Sequence, residues 1–147
     1  MTDSIRQQII DAIDARFKTI KTTGGYKTNI GNNVYDWLER DLADTELDAL
    51  IYRDKSNGKN ASSQKIFDNK VRLEIEVKTK SAGATAEQVR MMIEDVYKVI
   101  GTDETWGGLA QKTNPSQDNI NLEQADKIVG SGTIIVDIEY RTAKWQY

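Results

Sequence analysis

The sequence predicts an α+β fold: a mostly antiparallel sheet with two main helices packed on one face. Three observations predict it. Two segments alternate apolar and polar residues with period two, and two others repeat apolar residues at helical spacing. The chain is 147 residues long, a length that holds one domain spanning 1–147 rather than two. A chain of this size buries roughly 68–70% of the surface its unfolded form exposes, so a single core suffices without covalent staples.

The elements follow in order. Ile5, Ile9, Ile13, Phe17 and Ile20 keep to one drifting face, which predicts an amphipathic helix across the first twenty residues. Ser4 followed by Gln7 fits a capping box, and Gly24-Gly25 is the expected stop. The expected role of this stripe is packing on the chain's own core. Within 26–46, Val34, Trp37, Leu38 and Leu42 are spaced for one side of a short helical segment. Residues 47–53 read as a strand. The stretch 54–69 is polar, rich in Ser, Asn, Gly and Lys, and shows no periodicity, so it reads as a long loop. Loops of that length in compact domains are usually functional or disordered.

Val71, Leu73, Ile75 and Val77 share one face of a strand, with Arg72, Glu74, Glu76 and Lys78 on the other. Ile134, Val136, Ile138 and Tyr140 oppose Ile135, Asp137, Glu139 and Arg141 in the same way. One dry and one wet face mark an antiparallel sheet covered on one side. Between them Thr85, with Gln88 three residues on, is the expected cap of a second helix. Its apolar stripe is Val89, Met92, Ile93, Val96 and Ile100, and Gly101 ends it. Residues 118–129 predict one more strand, with Ile120 and Leu122 facing in. No internal repeat and no linker is visible.

Composition narrows the function. Apolar residues make up 38% and charged residues 29%, which predicts a thin core, a wet surface and a gain from pairing with further copies. There is no cysteine, so disulfides, thiolate metal sites and thiol nucleophiles are excluded. There is no histidine either, which removes the commonest general base and the commonest zinc ligand. The expectation is a protein that is not an enzyme and holds no cofactor or metal. Gly24-Gly25, Gly107-Gly108 and Gly130-Ser131-Gly132 lack the rest of a phosphate-binding loop. Asp54-Lys55-Ser56-Asn57-Gly58 begins like a calcium loop, but the glycine falls one place early and no Glu closes it. No apolar run approaches the roughly 20 residues of a membrane span, so no membrane partner is expected. The first residues carry no signal-peptide pattern, which predicts a cytoplasmic place of synthesis and residence. Asn60-Ala61-Ser62 fits a glycosylation sequon without a secretory context.

Charge is unevenly spread. Residues 36–48 carry Asp36, Glu39, Asp41, Asp44, Glu46 and Asp48 against Arg40, a net −5. Residues 53–70 carry Arg53, Lys55, Lys59, Lys65 and Lys70 against Asp54 and Asp68, a net +3. Three readings are open. Both patches can be solvated surface, they can pair within the chain, or one can meet the other on a neighbouring copy. The last is a head-to-tail contact of two unlike surfaces, which builds a ring when it closes. Specific nucleic-acid binding by the basic stretch is disfavoured, because Phe67 is its one aromatic and its flank is acidic. Trp37, Trp106 and Trp145 read as anchors within the domain, with Trp106 the best placed to anchor a neighbouring subunit instead.

From about residue 85 to the end the sequence resembles the tail terminator (tail completion) proteins of long-tailed bacteriophages. The helix over 85–100 carries the resemblance, with Ile100-Gly101-Thr102-Asp103-Glu104-Thr105-Trp106-Gly107-Gly108-Leu109-Ala110 and Ile134-Ile135-Val136-Asp137-Ile138-Glu139-Tyr140-Arg141-Thr142. The first helix, the strand at 47–53 and the stretch 54–69 stand in the order such proteins show. The resemblance implies a virion tail protein assembled in the host bacterial cytoplasm into a ring, typically of six copies. Such a ring caps the head-proximal end of the tail tube, stops its polymerisation and presents a surface to the head. Its partners would be further copies of itself, the tail tube protein and the head-neck connector, with DNA only passing through the lumen. A negative lumen would keep transiting DNA from sticking, and 36–48 is one stretch that could line it. Another neck or head-closure component, and a small non-viral binding module, are the alternative readings.

Overall fold

A computed structural model describes residues 2–38, 40–80, 83–124 and 128–147. Its elements are α1 (Ile5–Phe17), β1 (Val34–Asp36), β2 (Ala49–Ala61), β3 (Ile66–Lys80), α2 (Thr85–Gly101), β4 (Lys112–Gln124) and β5 (Ile128–Ala143). Among the described residues the five strands form one sheet in the order β1-β2-β3-β5-β4. β1 runs parallel to β2, and the other three pairings are antiparallel. The fold is α+β with a mixed, mostly antiparallel sheet.

The period-two pattern sets the register. Leu73 lies opposite Val136 and Ile75 opposite Ile134. On the other side of β3, Tyr52 meets Ile75 and Leu50 meets Val77. These side chains, with Val71, Ile138 and Tyr140, are buried and form one cluster with Ile9, Ile13 and Phe17 of α1 and Val89, Met92 and Val96 of α2. A one-residue slip would turn every one of them to the wet face, so the cluster fixes the pairing. Phe17 meets the Tyr52 ring edge-on at 5.9 Å. α2 comes so close to β5 that a β-carbon at Gly130 would lie 2.6 Å from the Thr85 Cγ2 and 2.8 Å from the Val89 Cγ2. Gly130-Ser131-Gly132 is thus a strand segment thinned to admit a helix.

Several expectations are corrected. The stretch 54–69 is a hairpin: β2 continues to Ala61 and β3 begins at Ile66. Ser62 and Ser63 donate their amide N–H groups to the Ile66 carbonyl across the turn, at 3.1 and 3.4 Å. Its strands escaped the apolar-pattern reading because the outer half of β2 is exposed or half-exposed on both faces. Pairing with β3 holds it, not a dry face of its own. The calcium-loop fragment lies within β2, where the register shifts between Asp54 and Ser56.

The expected helical segment in 26–46 contains β1 and short 3₁₀ turns instead. Two ties hold its first part. The buried Asp95 carboxylate of α2 accepts from Lys27 N, Thr28 N and Thr28 Oγ1 at 3.0, 2.8 and 2.6 Å. Gly31 N donates to Ile20 O at 2.9 Å.

The ends of both helices also differ from expectation. Ser4 caps α1, its Oγ accepting from Gln7 N at 3.1 Å. Gln7 completes no capping box, since its side chain donates to Asp11. α1 ends at Phe17, before the glycines, and Gly25 (φ 90°) closes the 3₁₀ turn that follows. Thr85 is the first residue of α2 rather than its cap, and Ala84 in a left-handed conformation precedes it. The strand expected over 118–129 starts earlier, at Lys112, and ends at Gln124; residues 125–127 lie outside the described residues, and 128–129 already belong to β5. Ile120 and Leu122 lie on the face that α2 covers, opposite Gly132 and Gly130, but at its rim, and stay 41% and 46% exposed.

Candidate assembly surfaces

Residues of the acidic stretch find much of their compensation locally. Asp44 binds Lys80 at 2.7 Å. Glu46 binds Arg40 at 2.7 Å and accepts from Ala43 N at 3.0 Å. The Arg40 hydrogen bond and then that amide hold the Glu46 carboxyl down at about 2. Asp48 accepts from Thr79 Oγ1 and from Gln88 Nε2. Asp36 is exposed; desolvation, then the nearby charges of Asp54, Asp14 and Asp11, raise its pKa. Asp41 is exposed, and Glu39 lies outside the described residues.

The basic stretch divides. Arg53 points to Glu76 and Glu74, at 3.6 and 3.9 Å, and donates to Leu38 O at 2.9 Å. Lys55 binds Glu74 at 3.0 Å. Lys59 donates to Asn69 Oδ1 at 2.6 Å, with its ammonium 5.7 Å from the Tyr147 ring and 5.8 Å from the Phe67 ring. Desolvation, followed by the Arg6 charge, lowers its pKa. Lys65 and Lys70 are exposed and in no ion pair among the described residues. No ion pair among the described residues joins a carboxylate of 36–48 to a cation of 53–70. Among the described residues the two patches are therefore not each other's partners.

Trp106 is not available to a neighbour. It is 1% exposed, its Nε1 donates to Thr113 Oγ1 at 2.8 Å, and its ring meets Phe17 edge-on at 6.4 Å. It ties the connection after α2 to β4 inside the chain, as a tryptophan whose N–H finds a buried partner does. Trp37 and Trp145, expected as internal anchors, are instead 42% and 85% exposed.

Two surface features were not read from the sequence. One is the far end of the β2–β3 hairpin, where Phe67 meets Trp145 edge-on at 5.7 Å. Lys144 N donates to Lys65 O at 2.9 Å, which pins the last residues against the turn. Phe67 was visible as a lone aromatic, but its partner lies 78 positions on, beyond any local pattern. The other feature is the pair of sheet edges. β4 is bonded on one side, to β5. β1 covers β2 over Leu50–Tyr52 alone, and Trp37 N adds one bond to Tyr52 O at 3.0 Å. Past that point the outer side of β2 has no strand beside it among the described residues.

Beneath the bare part of β2 lies a polar knot. Buried Arg6 donates through Nε to Asp54 Oδ2 at 2.8 Å, and Trp37 Nε1 donates to Asp54 Oδ1 at 2.6 Å. The Tyr147 ring lies under the Arg6 guanidinium, 4.5 Å away. Both Asp54 oxygens are thus used where β2 changes register. No helix among the described residues is long and apolar enough to cross a membrane.

No family model matches the chain, and neither does any curated protein. A chain of the solved structure "Virion of native gene transfer agent (GTA) particle" is similar to it, with 12% identity and a TM-score of 0.46. The match covers 95% of this chain and 92% of that one. A likeness at this level carries no argument about function.

Proposed function

We propose that this chain is a structural tail protein of a phage-like particle, working as a tail terminator rather than as an enzyme. Copies join head to tail into a ring, of six by the resemblance in sequence, at the head-proximal end of the tail tube. The ring ends tube polymerisation and offers the surface that joins the head. In this reading both helices cover one face of the sheet, which Phe17 against Tyr52 and Val89 above Gly130 support. The sheet edges are thereby left for assembly.

The observation that carries the proposal is the sheet with two unlike open edges. An open edge presents unpaired N–H and C=O groups and is a template for another chain. Natural monomers blunt such edges. Here Pro115 and the register shift between Pro115 and Gln117 blunt the first part of β4 and leave 118–124 regular. At the opposite edge, 56–61 of β2 is regular, with no strand beside its outer side among the described residues. Two different edges on one sheet make a heterologous contact, and such a contact closes into a ring when its rotation allows.

The test is light scattering and negative-stain microscopy of the purified protein, alone and with tail tube protein. Closed rings, free or on tube ends, are the expected result. Monomers under both conditions would sink the proposal. Deleting the coding sequence should give overlong tails; tails of normal length without heads would instead mark a neck component.

A further inference from the structure

Six large apolar side chains are exposed among the described residues: Trp37, Ile66, Ile120, Leu122, Trp145 and Tyr147. Five of them fall into two patches of opposite charge. The first is the hairpin end, where Trp145 packs on Phe67, the Tyr147 ring lies 5.7 Å from the Lys59 ammonium, Lys65 and Lys144 are exposed, and Ile66 is exposed on the other face of β3 from Phe67. Arg141 and Asp68 close by bind each other at 2.8 Å, so the three lysines set the sign. The second is the regular part of β4, where Ile120 and Leu122 share one exposed face with Asp118, which accepts from the Tyr97 hydroxyl at 2.6 Å, while Glu123 lies on the other face and no cation lies within 118–123.

These patches cannot meet within one molecule. Ile66 lies opposite Ala143 on β5, whereas Ile120 lies opposite Gly132. Eleven residues of extended strand separate the two levels, about 36 Å at roughly 3.3 Å per residue. They also lie on opposite sides of β5 in the sheet.

We infer that the edge 118–124 of one copy docks on the hairpin end of the next, Ile120 and Leu122 seating against Trp145 while the carboxylates of Asp118 and Glu123 approach Lys65 and Lys144. The occupant of each patch is a second copy of this chain. Apolar surface supplies the attraction, and opposite charge selects the partner and its direction. The inference rests on the ring reading above and names the two surfaces that build it. It also places the negative partner of the basic hairpin on β4 rather than in 36–48, where Lys80 and Arg40 neutralise Asp44 and Glu46 within the chain; the Tyr97 hydroxyl that binds Asp118 is neutral and leaves its charge in place.

Two variants test it. Lys65→Glu/Lys144→Glu/Trp145→Ser spoils the hairpin end, and Ile120→Lys/Leu122→Lys spoils the edge. All five positions are exposed, so both variants should keep the wild-type circular dichroism and melting temperature. Each alone should self-associate at least ~10-fold more weakly than wild type. An equimolar mixture should form pairs of twice the monomer mass and nothing larger, because each variant keeps one sound patch. A folded variant that assembles like wild type, or a mixture that stays monomeric while wild type forms rings, would overturn the inference and leave the ring reading standing. Wild-type protein that forms no ring, free or on tubes, overturns both. Unchanged assembly together with an oligonucleotide affinity lost on Trp145→Ser would reassign the hairpin end to nucleic acid and overturn the inference.

Discussion

Gly31 lies against the backbone of Ile20: its amide donates to the Ile20 carbonyl at 2.9 Å, and a β-carbon would stand 2.7 Å from that same oxygen. The Ile20 nitrogen and the Lys18 carbonyl oxygen would each be 2.8 Å away. These are backbone atoms of the segment that follows α1, and they cannot swing aside as a side chain does. Gly31→Ala should therefore destabilise the fold by about 1–3 kcal/mol, the usual cost of overpacking a tight site. Gly58 is the control, since nothing lies within 4 Å of a β-carbon there. Gly58→Ala should change stability by less than ~0.5 kcal/mol. Urea unfolding of the two variants reads the difference, and equal effects would refute the steric argument.

Trp106 should matter to folding and not to assembly. Its ring is packed by Phe17 and by the Arg16 guanidinium, 4.2 Å from the ring centroid. Trp106→Ala should cost about 3–5 kcal/mol, as truncating a buried aromatic does. Trp106→Phe keeps most of the packing but leaves Thr113 Oγ1 with the Glu104 carbonyl as its partner. It should cost less, about 1–2 kcal/mol for the lost hydrogen bond and volume. Rings should still form from Trp106→Phe at temperatures where it is folded. Loss of assembly by a variant with a native circular dichroism spectrum would return Trp106 to the subunit interface.

The parts of the fold legible in the sequence are those where one face is dry. Val71 to Val77 and Ile134 to Tyr140 announce themselves because a buried face imposes strict alternation, and the stripe of α2 because packing on the sheet imposes helical spacing. The outer half of β2 has no such imposition. Its partner Asn69 supplies a polar contact to Lys59, and its place is set by hydrogen bonds to a strand whose own pattern is clear. β1 is three residues long, too short for any period to show. The surfaces are harder still. Trp145 beside Phe67 is a contact across 78 positions, and an exposed tryptophan among polar neighbours looks, in sequence, like a buried one with a satisfied N–H.

Asp95 is a buried carboxylate whose hydrogen bonds all come from one neighbouring segment, Lys27 and Thr28. The carboxylate only accepts, and both amides and the hydroxyl only need an acceptor, so the match is complete. Asp95→Asn turns one oxygen into an NH₂ group that faces a backbone N–H. One buried donor is then left without a partner, which costs about 1–3 kcal/mol. Faster amide exchange should be confined at first to Lys27 and Thr28 and their neighbours. Protection that falls uniformly along the chain would mean that Asp95 serves the whole core rather than this tie.

Asp103 supplies the pH dependence. Its carboxylate accepts from Thr105 Oγ1 at 2.6 Å, Gly107 N at 2.8 Å and Thr105 N at 2.9 Å. These bonds, the hydroxyl first, lower its pKa from 3.8 to about 2, and Arg16 at 3.5 Å adds to the shift. A carboxyl depressed in the folded state binds its proton more readily once unfolded. Its contribution is therefore fully present above pH 3.8 and is lost as pH falls through about 2. The wild-type urea midpoint should drop across that window. Asp103→Asn should be less stable than wild type at neutral pH, and its midpoint should fall less steeply in acid. Glu46, held down at about 2 by Arg40, titrates in the same region, so Glu46→Gln is needed beside it to separate the two. A carboxyl resonance of Asp103 titrating at or above 3.8 would show that the turn from 103 to 107 is not built on its charge.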